Sequence, residues 1–361
     1  MRNFVSLLAM GLSLVAAAPT KPTPPLQATE IFRFPNGTTR LENLRVLPNG
    51  HLLLTSLSST DLLTLDPTTN PPQASTLLTL PADTPADQLL GITPLSPNRY
   101  AISGGTPHPT LFARFLPGTF RIYIVSLSPH SLLLSPSGTK TNWNATLEKT
   151  IRVPDTEFIN GLTTLPGKNS QHIILGADSF GGRVLRTDTI TGNTTVVLSD
   201  PLLGHDNATD IPIGINGLHV NKHDGHLYFT NSRLGTFSRV RINVDDGSVL
   251  KGSKIEKLAE LPGHDGTHLF DDFDFDFGFG GKGNGDFDVY STAHPGSLVR
   301  ISLGAGKKGG AEGAAPVTTV VGGDDKAVLD APTAAAFGSL AGEKVLWVTS
   351  MAGQVVKVTG F

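Results

Sequence analysis

Apolar residues in this chain recur in short runs rather than in helical stripes. Outside the first 18 residues, no window of about 12 residues sustains apolar positions at i, i+3, i+4 and i+7, so helices are not expected. Runs of strand type recur instead: His51-Leu52-Leu53-Leu54-Thr55, Gln171-His172-Ile173-Ile174-Leu175, His226-Leu227-Tyr228-Phe229-Thr230 and Val345-Leu346-Trp347-Val348-Thr349. Each follows a turn carrying Gly, Asn or Asp and is followed by a second strand such as Gly182-Arg183-Val184-Leu185-Arg186, which predicts antiparallel hairpins throughout.

The segments before these strands repeat. Leu41-Glu42-Asn43-Leu44 leads to Pro48-Asn49-Gly50, Ile159-Asn160-Gly161-Leu162 to Pro166-Gly167, and Ile215-Asn216-Gly217-Leu218 to Asp224-Gly225. Asp271-Asp272-Phe273 opens a further unit, and weaker copies start at Leu90-Gly91-Ile92-Thr93 and Ala331-Pro332-Thr333-Ala334. With Gly91 and Pro332 as the anchors of the weak copies, six units follow one another at intervals of roughly 50 to 70 residues, the longest lying between the second and third. Six units of about four strands predict a six-bladed β-propeller, with Ile31-Phe32-Arg33-Phe34 joining the last blade to close the ring and remove the sheet edges. The competing arrangement, two β-sandwich domains, lacks a linker or composition break to divide the chain.

Composition refines this picture. The 361 residues include 40 Gly, 26 Pro, no Cys and only 16% charged residues, and the formal charge is −3. The Gly and Pro mark turns, and no basic stripe exists to displace counterions from phosphates, so nucleic acid is not an expected partner. Arg2, the apolar run Phe4 to Val15 and Ala16-Ala17-Ala18 before Pro19 have the layout of a signal peptide over residues 1–18, leaving 19–361 as one propeller domain. That apolar run falls short of the roughly 20 residues that span a bilayer. Asn36, Asn144, Asn193 and Asn207 each stand in an Asn-x-Thr sequon, which suits a glycosylated chain of the secretory route, secreted or vesicular.

Equivalent positions in a ring of blades converge on its axis. Glu42, Asn160, Asn216 and Asp271 share one repeat phase, so they are expected to bring two carboxylates and two amide oxygens to the channel mouth, a hard-oxygen set suited to Ca²⁺ or Mg²⁺. The bland alternative is that Asn-Gly and Asp-Asp only shape turns. Asp178, Asn231 and His294 each follow an inner-region strand and are candidates for one rim of the channel, with His294 as oxyanion donor or general base. A rim histidine satisfied by a backbone carbonyl is the competing reading. Phe112, Phe115, Phe120 and Trp143 fall in the long segment between the second and third units and are candidates for the wall of a binding cleft, or equally for the outer blade core.

Thr39-Arg40-Leu41-Glu42-Asn43, Gly176-Ala177-Asp178-Ser179, Gly214-Ile215-Asn216-Gly217-Leu218 and Pro332-Thr333-Ala334-Ala335-Ala336-Phe337-Gly338 resemble the senescence marker protein/gluconolactonase and strictosidine synthase-like propellers, in particular a fungal secreted branch that includes hetero-Diels–Alderases. The resemblance covers essentially the whole mature chain. It implies a cyclase of fungal secondary metabolism that joins a tropolone quinone methide to a sesquiterpene, taking an apolar small molecule and needing no cofactor. It implies as the alternative a divalent-metal lactonase in which Glu42, Asn160, Asn216 and Asp271 hold the ion. Here Phe270-Asp271-Asp272 replaces the family's usual Pro-Asp-Gly, so Asp272 competes with Asp271 for that role. A non-catalytic ligand-binding propeller is the third reading. A monomer or small homo-oligomer is expected.

Other signals carry little. His264-Asp265-Gly266-Thr267-His268 and His223-Asp224-Gly225-His226 read as turns rather than zinc sites, Asp274 to Asp286 as an enlarged hairpin of the fifth unit, and the Gly304 to Gly310 stretch as a flexible connection without P-loop chemistry. No Gly-x-Ser-x-Gly elbow supports serine-hydrolase chemistry.

Overall fold

Alternating short strands that each bury one face must pair with chain neighbours and stack, and six antiparallel four-stranded sheets result. The structure, a computed structural model, describes residues 25–81, 86–111, 114–131, 141–167, 171–206, 212–278, 287–304, 314–323 and 328–361. The proposed signal peptide, Phe112 and Asn207 lie outside these residues. Blade 1 runs from its inner strand Leu41–Val46 to its outer strand Gln73–Thr79, blade 2 from Gln88–Ser96 to Thr141–Arg152, and blade 3 from Ile159–Thr164 to Thr194–Ser199. Blades 4 and 5 start at Ile215–Asn221 and Leu269–Asp276. Blade 6 has Pro332–Leu340, Glu343–Ser350 and Gln354–Thr359, and its outer strand is the N-terminal Gln27–Arg33. That strand pairs antiparallel with Gln354–Thr359, so the two ends of the described chain close the ring. The expected six-bladed propeller and its closure are both present.

Buried apolar side chains form six clusters, one in each gap between adjacent blades, such as Leu44, Leu54, Ala334 and Trp347 between blades 6 and 1. Fully burying a side chain of this kind contributes about 1.5–3 kcal/mol. Both faces of a blade are therefore apolar, which accounts for the low charge. The Asp276↔Asp288 pairing makes blade 5 begin with the long hairpin expected from its sequence.

Every inner strand carries a register irregularity near its start. In blades 1 to 5 two residues oppose one: Glu42-Asn43, Leu90-Gly91, Asn160-Gly161, Asn216-Gly217 and Asp271-Asp272, and in blade 6 the irregularity falls at Thr333. The equivalents of Glu42 in the weak repeats are thus Leu90 and Thr333, one residue from the anchors Gly91 and Pro332. Hydroxyls on the second strands, and that of Thr333 on the inner strand of blade 6, tie neighbouring blades together at the bulges. Thr55 Oγ1 donates to Leu90 O (2.6 Å), Thr230 Oγ1 to Asp271 O (2.9 Å), Thr292 Oγ1 to Thr333 O (3.0 Å) and Thr333 Oγ1 to Leu41 O (3.2 Å). Blade 3 has Ala177 at this position, and Ser179 Oγ donates to Ile215 O instead (2.5 Å).

Candidate functional site

A bulge re-aims two consecutive side chains, and six bulges around one axis aim them at a common point. At one mouth of the channel they floor a cavity of about 550 Å³, lined by Glu42, Leu90, Asn160, Asn216, Asp271 and Thr333, one residue from each blade. The four expected axial residues are brought together here. Two residues earlier on each inner strand the period-two alternation returns a side chain to the same side. Arg40, Gln88, Phe158, Leu269 and Ala331 accordingly form the cavity wall, a ring that reading the bulge positions alone missed although the same alternation encodes it.

Second strands supply another ring: Leu57, Ser232, His294 and Met351. Register explains why His294 belongs to it while Asp178 and Asn231 do not. Ile159 pairs with Asp178, Ile215 with Asn231 and Phe270 with Ala293, so Asp178 and Asn231 match Ala293, one residue before the position of His294. A one-residue slip turns a side chain to the opposite face. Both are fully engaged there. Asp178 accepts from Gly181 N–H (3.1 Å) and pairs with Arg183 Nε (2.7 Å), while Asn231 donates to Leu202 O and Gly204 O and accepts from Leu234 N–H.

Of the aromatic candidates among the described residues, Phe115 lines the cavity, next to Phe158 at 4.9 Å. Phe120 packs behind it at 4.9 Å and is wholly buried, and Trp143 sits on the outer strand of blade 2 against the core shared with blade 1. Phe115 belongs to an arm between the second and third strands of blade 2, held by a Pro107–Phe115 bridge and by His108 N–H donating to Arg114 O (2.7 Å). Pro107, His108, Leu111 and Arg114 of this arm reach the cavity, and Arg114 is pinned over the Phe180 ring at 3.7 Å and to Glu157 at 3.1 Å.

The floor is electrostatically uneven. Burial, reinforced by the like charges of Asp271 and Asp272, pushes the Glu42 carboxyl well above the usual range. Burial also raises Asp271, against the hydrogen bond and charge of His294, whose Nε2 lies 3.1 Å from Asp271 Oδ2. Asp271 Oδ1 and Asn216 Oδ1 are buried without a hydrogen-bond partner among the described residues, while Asn216 Nδ2 donates to Ser232 Oγ (2.8 Å). Ser232 Oγ donates to Phe270 O (2.7 Å), not to a base, so it is not an activated nucleophile. Asp272 differs from its neighbour. Burial works to raise it, but the charge and hydrogen bond of His219 hold it below the usual range, and its oxygens serve Asn43 Nδ2 (2.8 Å), His219 Nε2 (2.9 Å) and Phe273 N–H (2.9 Å). It has no oxygen to offer the cavity, and Asp271 does.

The histidine clusters are turns: His264 is bonded to His268 O (2.7 Å) and Arg233 O (2.9 Å), and no group of three His, Cys, Asp or Glu among the described residues is arranged to hold a metal. Of the sequons, Asn36 lies in the short Pro35–Gly37 turn, and Asn144 and Asn193 are exposed on the outer edges of blades 2 and 3. No helix among the described residues is long and apolar enough to cross a membrane.

No protein-family model matches the chain. It is 24% identical over 372 residues to a protein of Phoma sp named "Putative hetero-Diels-Alderase", covering 97% of this chain and 95% of that one. Among solved structures it is similar to virginiamycin B lyase of Staphylococcus aureus (TM-score 0.50, 11% identity, 92% of this chain and 99% of that one). It is also similar to an auxiliary nutrient binding protein of Bacteroides thetaiotaomicron (TM-score 0.57, 11% identity, 92% of this chain and 76% of that one). At such identities the structural likenesses speak to the fold alone.

Proposed function

We propose that the protein is a hetero-Diels–Alderase-like cyclase that binds an oxygenated heterodiene and an apolar olefin in the axial cavity and joins them in a [4+2] cycloaddition. The observation that carries this reading is the cavity itself. Apolar walls from Leu57, Leu111, Phe115, Phe158 and Ile213 surround a floor with Leu90, a carboxyl that burial pushes toward its protonated form, a His–Asp pair and no activated nucleophile. The full-length similarity to the Phoma protein supports it. A cycloaddition moves no proton and needs no covalent intermediate, so the protein's part is to hold two partners at attack distance, an effect worth up to roughly 7–11 kcal/mol of barrier. Its other part is to stabilise the negative charge that grows on the carbonyl oxygen of the heterodiene. The Glu42 carboxyl, which burial pushes toward its protonated form, is the donor we assign to this task, and the His294 imidazole, oriented by Asp271, stands beside it.

The test is incubation with a quinone methide precursor and a C15 olefin, following adduct yield and enantiomeric excess. An excess that disappears with Glu42→Leu or His294→Ala fits the reading. A racemic adduct at the background rate with the unaltered protein overturns it, and ligand binding without turnover would favour the non-catalytic alternative.

A second reading is favoured by the partnerless oxygens of Asn216 and Asp271. With Glu42 and Asn160 they make a set of two carboxylates and two amides that fits a hard divalent cation, and such an ion would polarise a lactone carbonyl and activate water. Under this reading Asp271 is a ligand oriented by His294, and Asp272 stays outside the set. Titration with CaCl₂ followed by thermal melting and a lactone-hydrolysis assay decides: an ion at about 100 times its Kd stabilises by about 2.7 kcal/mol, and an unshifted melt with inert lactone removes the reading.

A further inference from the structure

Beneath the floor, the second residue of each bulge behaves unlike the first. In blades 2, 3 and 4 it is Gly91, Gly161 and Gly217, and the inner strands approach so closely there that a Cβ would meet Asn160 O at 2.1 Å, Asn216 O at 2.6 Å and Asp272 Oδ1 at 2.4 Å. In blades 1 and 5 the same position is Asn43 and Asp272, buried side chains joined by a 2.8 Å hydrogen bond although their blades are not adjacent. That bond spans the channel between two blades that blade 6 separates. His219 of blade 4 closes on Asp272 at 2.9 Å from the next level down, edge-on to Phe273, and Arg45 Nη1 donates to Asn43 Oδ1 (3.1 Å). Around these groups stand Asp274, Phe273 N–H and Leu44 N–H, the last bonded to Asn43 Oδ1. None of Asn43, Gly91, Gly161, Gly217, Asp272 and His219 lines the cavity above.

We propose that the Asn43–Asp272–His219 bar is a water seal that makes the reaction cavity blind, so that Asn43 and Asp272 are positioning residues deciding which partner captures the bound electrophile. This inference rests on the cyclase reading for its chemical consequence. With the olefin, the exocyclic carbon of the heterodiene bonds one olefin carbon while the carbonyl oxygen bonds the other, and no atom is lost. With water, the water oxygen bonds the exocyclic carbon, one water proton passes to the carbonyl oxygen and the electrophile is spent. Water held at high concentration outside wins unless it is excluded, and a channel open at the far face would deliver it to the rear of the bound heterodiene. The seal leaves one way in and out, past the arm of blade 2.

The test compares the unaltered protein with Asn43→Ser, which removes the bond between blades 1 and 5, and Asp272→Asn, which keeps the filling and an acceptor for Asn43. Two readouts are taken. Deuterium exchange at the amides of Gly217 and Phe273, which needs no substrate, is expected to rise roughly tenfold in Asn43→Ser and to stay within about twofold in Asp272→Asn. In turnover, the ratio of hydrated heterodiene to cycloadduct is expected to rise by a similar factor in Asn43→Ser while the fluorescence of cavity-bound N-phenyl-1-naphthylamine shows the mouth intact. Unchanged exchange in Asn43→Ser overturns the seal. Accelerated exchange with an unchanged product ratio overturns its role in partner choice. A protein whose exchange responds as expected but that forms no enantioenriched adduct in unaltered form sinks the cyclase reading and leaves the seal standing.

Discussion

Asp271 and Asp272 are neighbours in one bulge, yet they belong to two different halves of the channel. Asp271 faces the mouth, where one carboxylate oxygen has no partner among the described residues and burial raises its pKa. Asp272 faces the base, where three donors satisfy it and His219 holds its pKa down. The mouth keeps polar groups short of partners, a cost that persists where a ligand is to be bound, whereas the base spends every donor and acceptor on closing the ring. A cavity-facing carboxylate and a fully partnered one are therefore separated by one residue of chain.

The sharpest way to break this comparison is to truncate each aspartate. Asp272→Ala strands His219 and Asn43, and removing one partner of a buried pair costs roughly 3–5 kcal/mol, so a fall in the melting midpoint of at least several degrees is expected by calorimetry. Asp271→Ala is expected to melt close to the unaltered protein, and equal losses in the two variants would abolish the distinction. At the mouth, Glu42→Leu keeps the approximate bulk but removes the donor. A drop of about 10²–10³ in kcat/KM for cycloaddition, with little change in KM, is expected from the loss of one preorganised donor.

Stability against pH sharpens it further, because Asp272 and Glu42 carry opposite signs. Asp272, lowered in the fold, contributes stability that is complete above the ordinary carboxylate range and is lost as pH falls through its depressed value. Glu42, raised in the fold, does the reverse: its neutral form is comfortable at low pH, and stability is lost as pH rises from the ordinary glutamate range through its raised value. Melting midpoints measured across pH should accordingly decline on the alkaline side of the ordinary glutamate range. Glu42→Gln should flatten that decline and stabilise the protein by about 1 kcal/mol at pH 8, as replacing a strained functional group often does. A steeper decline in the variant would refute the assignment. The smallest effects belong to the outer edge. Asn144→Gln and Asn193→Gln should each change stability by less than about 0.5 kcal/mol, and in a eukaryotic secretion host each should remove one glycan-sized mass increment.

Much of the fold was readable in advance because propeller strands repeat their polarity pattern with every blade. Glu42, Asn160, Asn216 and Asp271 could be aligned without coordinates, and their convergence on one mouth follows from ring closure. Asp178 and Asn231 were misplaced because hairpin turns differ in length from blade to blade, so counting from a turn does not preserve register, and one residue decides the face. Leu90 and Thr333 were hidden because neither carries a carboxylate or amide like the other anchors, and neither stands in an Asn-Gly or Asp-Asp pair. The arm of blade 2 announced itself as a long interval, but only its packing placed Phe115 in the wall and Phe120 behind it.

Periodicity by itself therefore determined the class of architecture, the number of blades, the closure by the first strand and the phase of the axial residues, since all four depend on local alternation and repetition. Tertiary structure alone decided which of two adjacent aspartates meets the cavity and which reaches past blade 6 to Asn43. That choice depends on how six bulges crowd a common centre, a distance relation between residues 43 and 272 that no local pattern in either segment encodes.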